Sequence, residues 1–155
     1  MQLTDHFGSD EFAQPAKPTW GPGFIDPVPY PLEWIQDRLI PLCQALEAIR
    51  EACGENPVRV LSGFRSYGYN EELYRRSGKT PTDSQHSRGK AVDIVVNGVT
   101  PGVVHQVTLD LFKSQKIEIG GLGLYTGFVH IDIRPRPTNG HLAQWNGSRT
   151  AEQTA

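Results

Sequence analysis

Cysteine is scarce in this chain, and its placement excludes most of what cysteine can do. The only two, Cys43 and Cys53, fall in one segment of helical periodicity, where they would lie about 15 Å apart along the axis, too far for a disulfide. No CxxC or CxxH spacing exists, so a zinc knuckle is excluded and buried, reduced thiols are expected. No apolar run approaches the roughly 18 residues of a membrane span. An excess of positive charge is missing as well: 15 Lys and Arg stand against 17 Asp and Glu, for a net charge of −2. With a pI near 6.2, nothing suggests a nucleic acid partner. The opening MQLTDHFGSDEFAQP lacks the basic start and apolar stretch of a secretory signal. The expectation is therefore synthesis in the cytoplasm, with any work outside it depending on release at lysis, a phage or tail assembly, or another carrier. Internal repeats and low-complexity tracts are absent.

What the chain does have is glycine and proline, 16 and 12 respectively in 155 residues. That share fits one domain of many turns and tied-down loops. Residues 1–30 carry little periodicity, and the aromatics of PAKPTWGPGFIDPVPYP are expected to dock this leader on the core. From 31 to 53, Leu32, Ile35, Leu39, Leu42, Leu46 and Ile49 recur at helical spacing. Pro41 should kink or split that helix, and Gly54 is a natural stop. PVRVLSGF (57–64) and AVDIVV (91–96) read as strands, with a short helix over 70–78 between them. Thr100-Pro101 opens a helix to about Lys116. Residues 118–135 form a hairpin turning near Thr126-Gly127. The last 18 residues hold few apolar groups; Trp145 can dock, and the remainder is expected to fray. The order helix, strand, helix, strand, helix, hairpin gives a small α+β domain, with a core domain over 31–137 and a tail over 138–155.

The stretch SQHSRGKAVDI (84–94) holds His86 and Asp93 seven positions apart. That interval spans about 23 Å in a strand and about 10 Å in a helix. The two side chains can meet only if the chain turns, and Ser87-Arg88-Gly89-Lys90 supplies a turn in which Gly89 is free to adopt positive φ. A metal ion is the working explanation for the pairing. Two protein ligands bind weakly, so a third is needed. His6 and His141 lie in the leader and the tail, and His105 on a helix, all as surface or half-buried positions. His130 differs. In FVHIDI, Phe128, His130 and Asp132 share one face while Val129, Ile131 and Ile133 form the aliphatic face that must be core. Two imidazoles and one carboxylate leave an open position on Zn²⁺, as a catalytic site requires; calcium or magnesium would call for more oxygens.

SGFRS (62–66) with Tyr69-Asn70, then SQHSRGKAVDI, then GGLGLYTGFVHIDIRP, resembles the zinc D-alanyl-D-alanine carboxypeptidase and murein endopeptidase family. Ser84, His86, Gly89, Ala91 and Asp93 fill its Ser-x-His-x-x-Gly-x-Ala-x-Asp signature, and a final His follows. The resemblance covers roughly residues 31–135. It implies a compact DD-peptidase-like α+β fold with a central, mostly antiparallel sheet flanked by helices, and Zn²⁺ on His86, Asp93 and His130. It further implies an enzyme that cleaves peptidoglycan stem peptides next to D-alanine, water on the zinc being the nucleophile; a monomer with no membrane partner is the separate expectation. Arg65 matches an arginine aimed at the substrate carbonyl, where a guanidinium can stabilise an oxyanion. Ser84 and Gln85 are the expected substrate-binding residues, although Ser84 could equally cap a turn. One departure stands out. Many relatives place an acid three positions before the last His, and here that position is Gly127. Asp132, projecting to the same side as His130 about 7 Å along the strand, is left either to move the proton or to orient an imidazole, with Glu118 as an outside candidate. The missing acid also keeps open a second class: a zinc-stabilised cell-wall-binding or phage structural module without turnover.

Overall fold

The computed structural model describes residues 1–17, 20–21, 26–137 and 139–154; the part of the aromatic-rich leader at 18–19 and 22–25 lies outside the described residues. The first long apolar stripe becomes three joined helical segments. A 3₁₀ turn over Leu32–Trp34 runs into a π-helical turn over Ile35–Leu39 and then into α1, Ile40–Ala52. Pro41 explains the change. It has no N–H to return to the preceding turn, and the Ile40 N–H reaches back five residues to the Ile35 carbonyl instead. The helix is thus widened rather than broken. At its other end, Gly54 takes φ of 79° and stops it.

Five strands form one sheet: β1 Val58–Ser62, β2 Ala91–Val96, β3 Gly121–Tyr125, β4 Val129–Asp132 and β5 Ala143–Gly147. Their order is β1-β2-β4-β3-β5. The β1–β2, β2–β4 and β4–β3 pairs are antiparallel, and β3–β5 is parallel. The expected mostly antiparallel α+β architecture is therefore present. Helix α2, Tyr67–Arg76, begins three residues earlier than its apolar pattern suggested, because the Ser66 hydroxyl caps it by accepting from the Tyr69 N–H at 3.4 Å. Helix α3, Pro101–Lys113, starts at the expected Thr100 cap.

The sheet has two unlike faces. Val92, Ile94 and Val96 of β2, Leu122 of β3 and Val129 and Ile131 of β4 are buried with Leu42, Cys43, Leu46 and Ile49 of α1 and Val104 of α3. On the opposite face β2 carries Asp93, β3 Gly121 and Gly123, and β4 His130 and Asp132. Phe7 and Phe12 of the leader are buried as well, and the Phe12 carbonyl accepts from the Phe64 N–H at 2.8 Å.

The tail overturns an expectation. It does not fray after Trp145: β5 is the sheet's fifth strand, and a short helix α4, Ala151–Thr154, follows it and buries Thr154. Strand β5 has the sequence AQWNG, without the β-branched residues that mark a strand. Its pairing with β3 creates it.

Candidate metal centre and cleft

Register builds the site. Across the polar face of the sheet, Ser62 pairs with Asp93, Asp93 with His130, His130 with Gly123, and Gly123 with Trp145, one residue from each strand. Directly opposed residues on antiparallel neighbours hold their Cβ atoms about 5 Å apart, so the fold brings Asp93 and His130 together without help from loops. Glycine on β3 makes room for them. A Cβ at Gly121 would fall within 2.6 Å of both Asp132 carboxylate oxygens, and one at Gly123 would meet the Trp145 indole at 2.6 Å.

His86 arrives from the turn before β2. Gly89 in that turn has φ of 66°, and a side chain there would strike Tyr30 and Trp34 at 2.7 Å; the turn expected between His86 and Asp93 requires glycine for both reasons. The His86 Nδ1 lies 2.8 Å from the Gly63 carbonyl. A carbonyl only accepts, so Nδ1 carries the proton and Nε2 presents its lone pair. Nε2 is 3.3 Å from Asp93 Oδ2, and His130 Nδ1 is 2.9 Å from Asp93 Oδ1.

The three expected ligands thus converge. One ligand atom from each of His86, Asp93 and His130 lies within 4.8 Å of the others, and all three residues are buried. A tetrahedral ion with bonds near 2.1 Å needs ligand atoms about 3.4 Å apart, and the two close contacts above already approach that spacing. Protonation agrees with the fit. Burial, followed by the Arg65 charge, pushes the His86 pKa down to about 4, so the imidazole is neutral at neutral pH. Burial works against ionisation of Asp93, but the hydrogen bond from His130 Nδ1 holds its carboxyl well below the usual carboxylate range. The donor set, two buried imidazoles and one buried, ionised carboxylate, suits a divalent metal.

Around it lies a cleft of about 220 Å³ lined in part by Arg65, Asp83, Gln85, His86, His130 and Arg149. Ser84 also lines it, and its hydroxyl accepts from the His86 N–H at 3.2 Å, the turn-capping geometry. The Gln85 Oε1 is buried with no hydrogen-bond partner. Arg65 is 2% exposed. Its Nε donates to Ser62 at 2.9 Å and its Nη2 to Asp93 at 3.2 Å and to the Thr154 hydroxyl at 2.9 Å. Thr154 in turn donates to Asp93 Oδ2. Asp132, fully buried, lies 2.8 Å from His130 Nε2 and accepts from the Arg134 backbone and guanidinium.

Glu118 is elsewhere: its carboxylate is exposed and faces Arg136 at 3.4 Å, because the hairpin turns it away from the polar face. Six cleft residues went unforeseen as site residues: Tyr74, Asp83, Tyr125, Arg134, Trp145 and Arg149. Arg134 had a signal, since it continues the alternation of His130 and Asp132. Arg149 had none, because it depends on the position of β5. That strand also explains the missing acid. The Gly127 N–H donates to the Arg149 carbonyl at 3.2 Å, and a Cβ at 127 would meet the Ala151 nitrogen at 2.6 Å and Thr150 Cα at 2.9 Å. The C-terminal segment fills the space where a side chain would stand.

Fold and cleft together define a small α+β domain with a buried His-Asp-His cluster that could hold a metal ion at one sheet face. Residues 34–138 match the family model described as peptidoglycan L,D-endopeptidase MepK, and the chain belongs to that family. Among curated proteins it is 35% identical over 81 residues to the peptidoglycan L,D-endopeptidase MepK of Escherichia coli K12 and to that of Shigella flexneri. It is 30% identical over 80 residues to the probable MepK of Haemophilus influenzae. These alignments take in about half of this chain but only 41% and 40% of the relatives' lengths. No solved structure gives a significant match. Among the described residues, no helix is long and apolar enough to cross a membrane.

Proposed function

We propose that this chain is a zinc-dependent peptidase that hydrolyses peptide bonds of peptidoglycan stem peptides, acting as an endopeptidase on their cross-links. The observation that carries this reading is the convergence of His86, Asp93 and His130 within 4.8 Å beside an open polar cleft. The matched relatives bear the name peptidoglycan L,D-endopeptidase, so an L,D bond is the bond assigned, ahead of the D-alanyl bond of a carboxypeptidase. A zinc ion in this ligand set would acidify a water molecule and polarise a carbonyl.

The side chains divide the remaining work. Arg65 lines the cleft beside the ligands and lends positive charge where the carbonyl oxygen becomes negative. Its bonds to Ser62, Asp93 and Thr154 hold the guanidinium still, which is what preorganised stabilisation requires. Gln85 offers its unpartnered Oε1 to a substrate amide N–H, and Ser84 keeps the His86 turn in shape. Asp132 is a positioning residue. It accepts from the ring nitrogen of His130 that faces away from Asp93, fixing the imidazole. Asp83 is the only carboxylate lining the cleft among the described residues, and we assign it to accepting a proton from the attacking water and passing it to the leaving amine.

The test is hydrolysis of defined cross-linked muropeptides by the zinc-loaded protein, followed by mass spectrometry. New amine and carboxyl termini at an L,D bond are expected, together with at least a hundredfold loss in kcat/KM for Asp83→Asn, the usual scale of general acid–base catalysis, about 10²–10⁴-fold. Protein that binds one zinc ion yet releases no product from any cross-link would refute the catalytic reading and favour a binding module.

A further inference from the structure

Every charged group lining the cleft has an opposite charge to satisfy it except one. Arg65 pairs with Asp93, Arg134 with Asp132, and Asp83 with Arg88. Arg149 makes no ion pair among the described residues, and its Nε is buried without a hydrogen-bond partner. Its guanidinium lies over the Tyr125 ring, with Cζ 5.3 Å from the ring centroid.

The side chain is nonetheless well placed. Tyr125 stacks on Phe128 at 4.5 Å and accepts from the Trp145 indole N–H at 2.9 Å, so the ring beneath the guanidinium is fixed from two sides. The Arg149 backbone is anchored on Gly127, where the lack of a side chain permits close approach. An arginine held over an aromatic ring and without an ion pair keeps donors for a planar, two-oxygen acceptor. With the other charges of the cleft paired, the Arg149 charge is left over, so an anionic group entering there is drawn in rather than repelled.

We propose that Arg149 is a specificity-determining residue that binds a free carboxylate of the peptide substrate, close to the bond that is cut. This rests on the peptidase reading of the same cleft. It adds a substrate class: peptides carrying an ionised carboxylate, at the chain terminus or on a side chain, are taken over their amidated counterparts. The residue lies beyond the 34–138 match, so this preference belongs to the chain's own C-terminal segment.

The experiment measures binding to metal-free protein by titration calorimetry, using uncleaved stem peptides in three forms: free acid, amidated at the C-terminus, and amidated at the side-chain carboxyl. Wild-type protein is expected to bind the free acid at least about tenfold more tightly than one amidated form, as a charge-assisted paired hydrogen bond would give. The form that loses affinity identifies the carboxylate. Arg149→Gln should erase the difference and Arg149→Lys should restore part of it, both with unchanged circular dichroism. In the zinc-loaded enzyme the loss should fall on KM rather than kcat. Arg149→Gln retaining the full preference, or wild-type protein that binds acid and amide alike or neither, overturns the proposal. Discrimination by the metal-free protein without any hydrolysis by the zinc form would sink the peptidase reading and leave the carboxylate site standing.

Discussion

Replacing Asp132 separates positioning from proton transfer, and the structure fixes the size of the effect. The carboxylate is fully buried and takes hydrogen bonds from His130 Nε2 at 2.8 Å, from the Arg134 backbone N–H at 3.1 Å and from the Arg134 guanidinium at 2.6 Å. Removing one partner of a wholly buried ion pair costs about 3–5 kcal/mol, because the other is left buried and unpaired. Here Arg134 is 32% exposed and can turn toward water, so the lower end, about 3 kcal/mol, is the expectation for Asp132→Ala. A domain of this length loses about 2–4 °C of melting temperature per kcal/mol, which places the drop at about 6–12 °C. Zinc affinity, read by competition with a chromophoric chelator, should fall about 10–100-fold, the usual cost of removing the group that orients a ligating imidazole. Asp132→Asn keeps an oxygen for His130 and should lose less of both. If Asp132→Ala instead held zinc within about twofold of wild type while kcat collapsed, the positioning argument would fail and Asp132 would be the proton carrier.

Three further outcomes concern other parts of the fold. In Gly127→Ala the new Cβ meets only backbone, the Ala151 nitrogen at 2.6 Å and Thr150 Cα at 2.9 Å. No side-chain rotation relieves it, and the overpacking should cost about 1–3 kcal/mol, with faster amide exchange over residues 149–154; unchanged melting with α4 still protected would contradict this. Burial, then the charges of Glu11 and Glu47, pushes the Cys43 thiol up to about 12, and burial raises Cys53, so neither should react with iodoacetamide at pH 8 until the protein unfolds. For Cys43 the unfolded thiol loses its proton near pH 9 while the folded one keeps it, so stability is complete below pH 9 and falls as pH rises toward 12. Cys43→Ala should flatten that decline, and an equally steep decline in the variant would refute the assignment.

Much of this was legible in the sequence, and the reason is local. Alternation in FVHIDI assigns Val129 and Ile131 to the core and leaves His130 and Asp132 on the other face, as the fold has them, and AVDIVV is the strand that it reads as. A period of two needs only a strand's own residues. The turn that delivers His86 announces itself through Gly89 for the same reason. What could not be read is everything that depends on pairing between distant segments. AQWNG has no strand signature of its own and becomes β5 because β3 offers a free edge. The unread strand then decides three features of the site. It packs Trp145 against His130, with ring centroids 5.1 Å apart and the planes tilted by 54°. Through α4 it sets the Thr154 hydroxyl between Arg65 and Asp93. And it brings Arg149 to the cleft and the Thr150-Ala151 backbone against Gly127. The glycine that looks like a lost catalytic acid is, in physical terms, the seat of a segment contributing its own charge to the cleft. One substitution at the seat, rather than several along the segment, should therefore disturb all three features together.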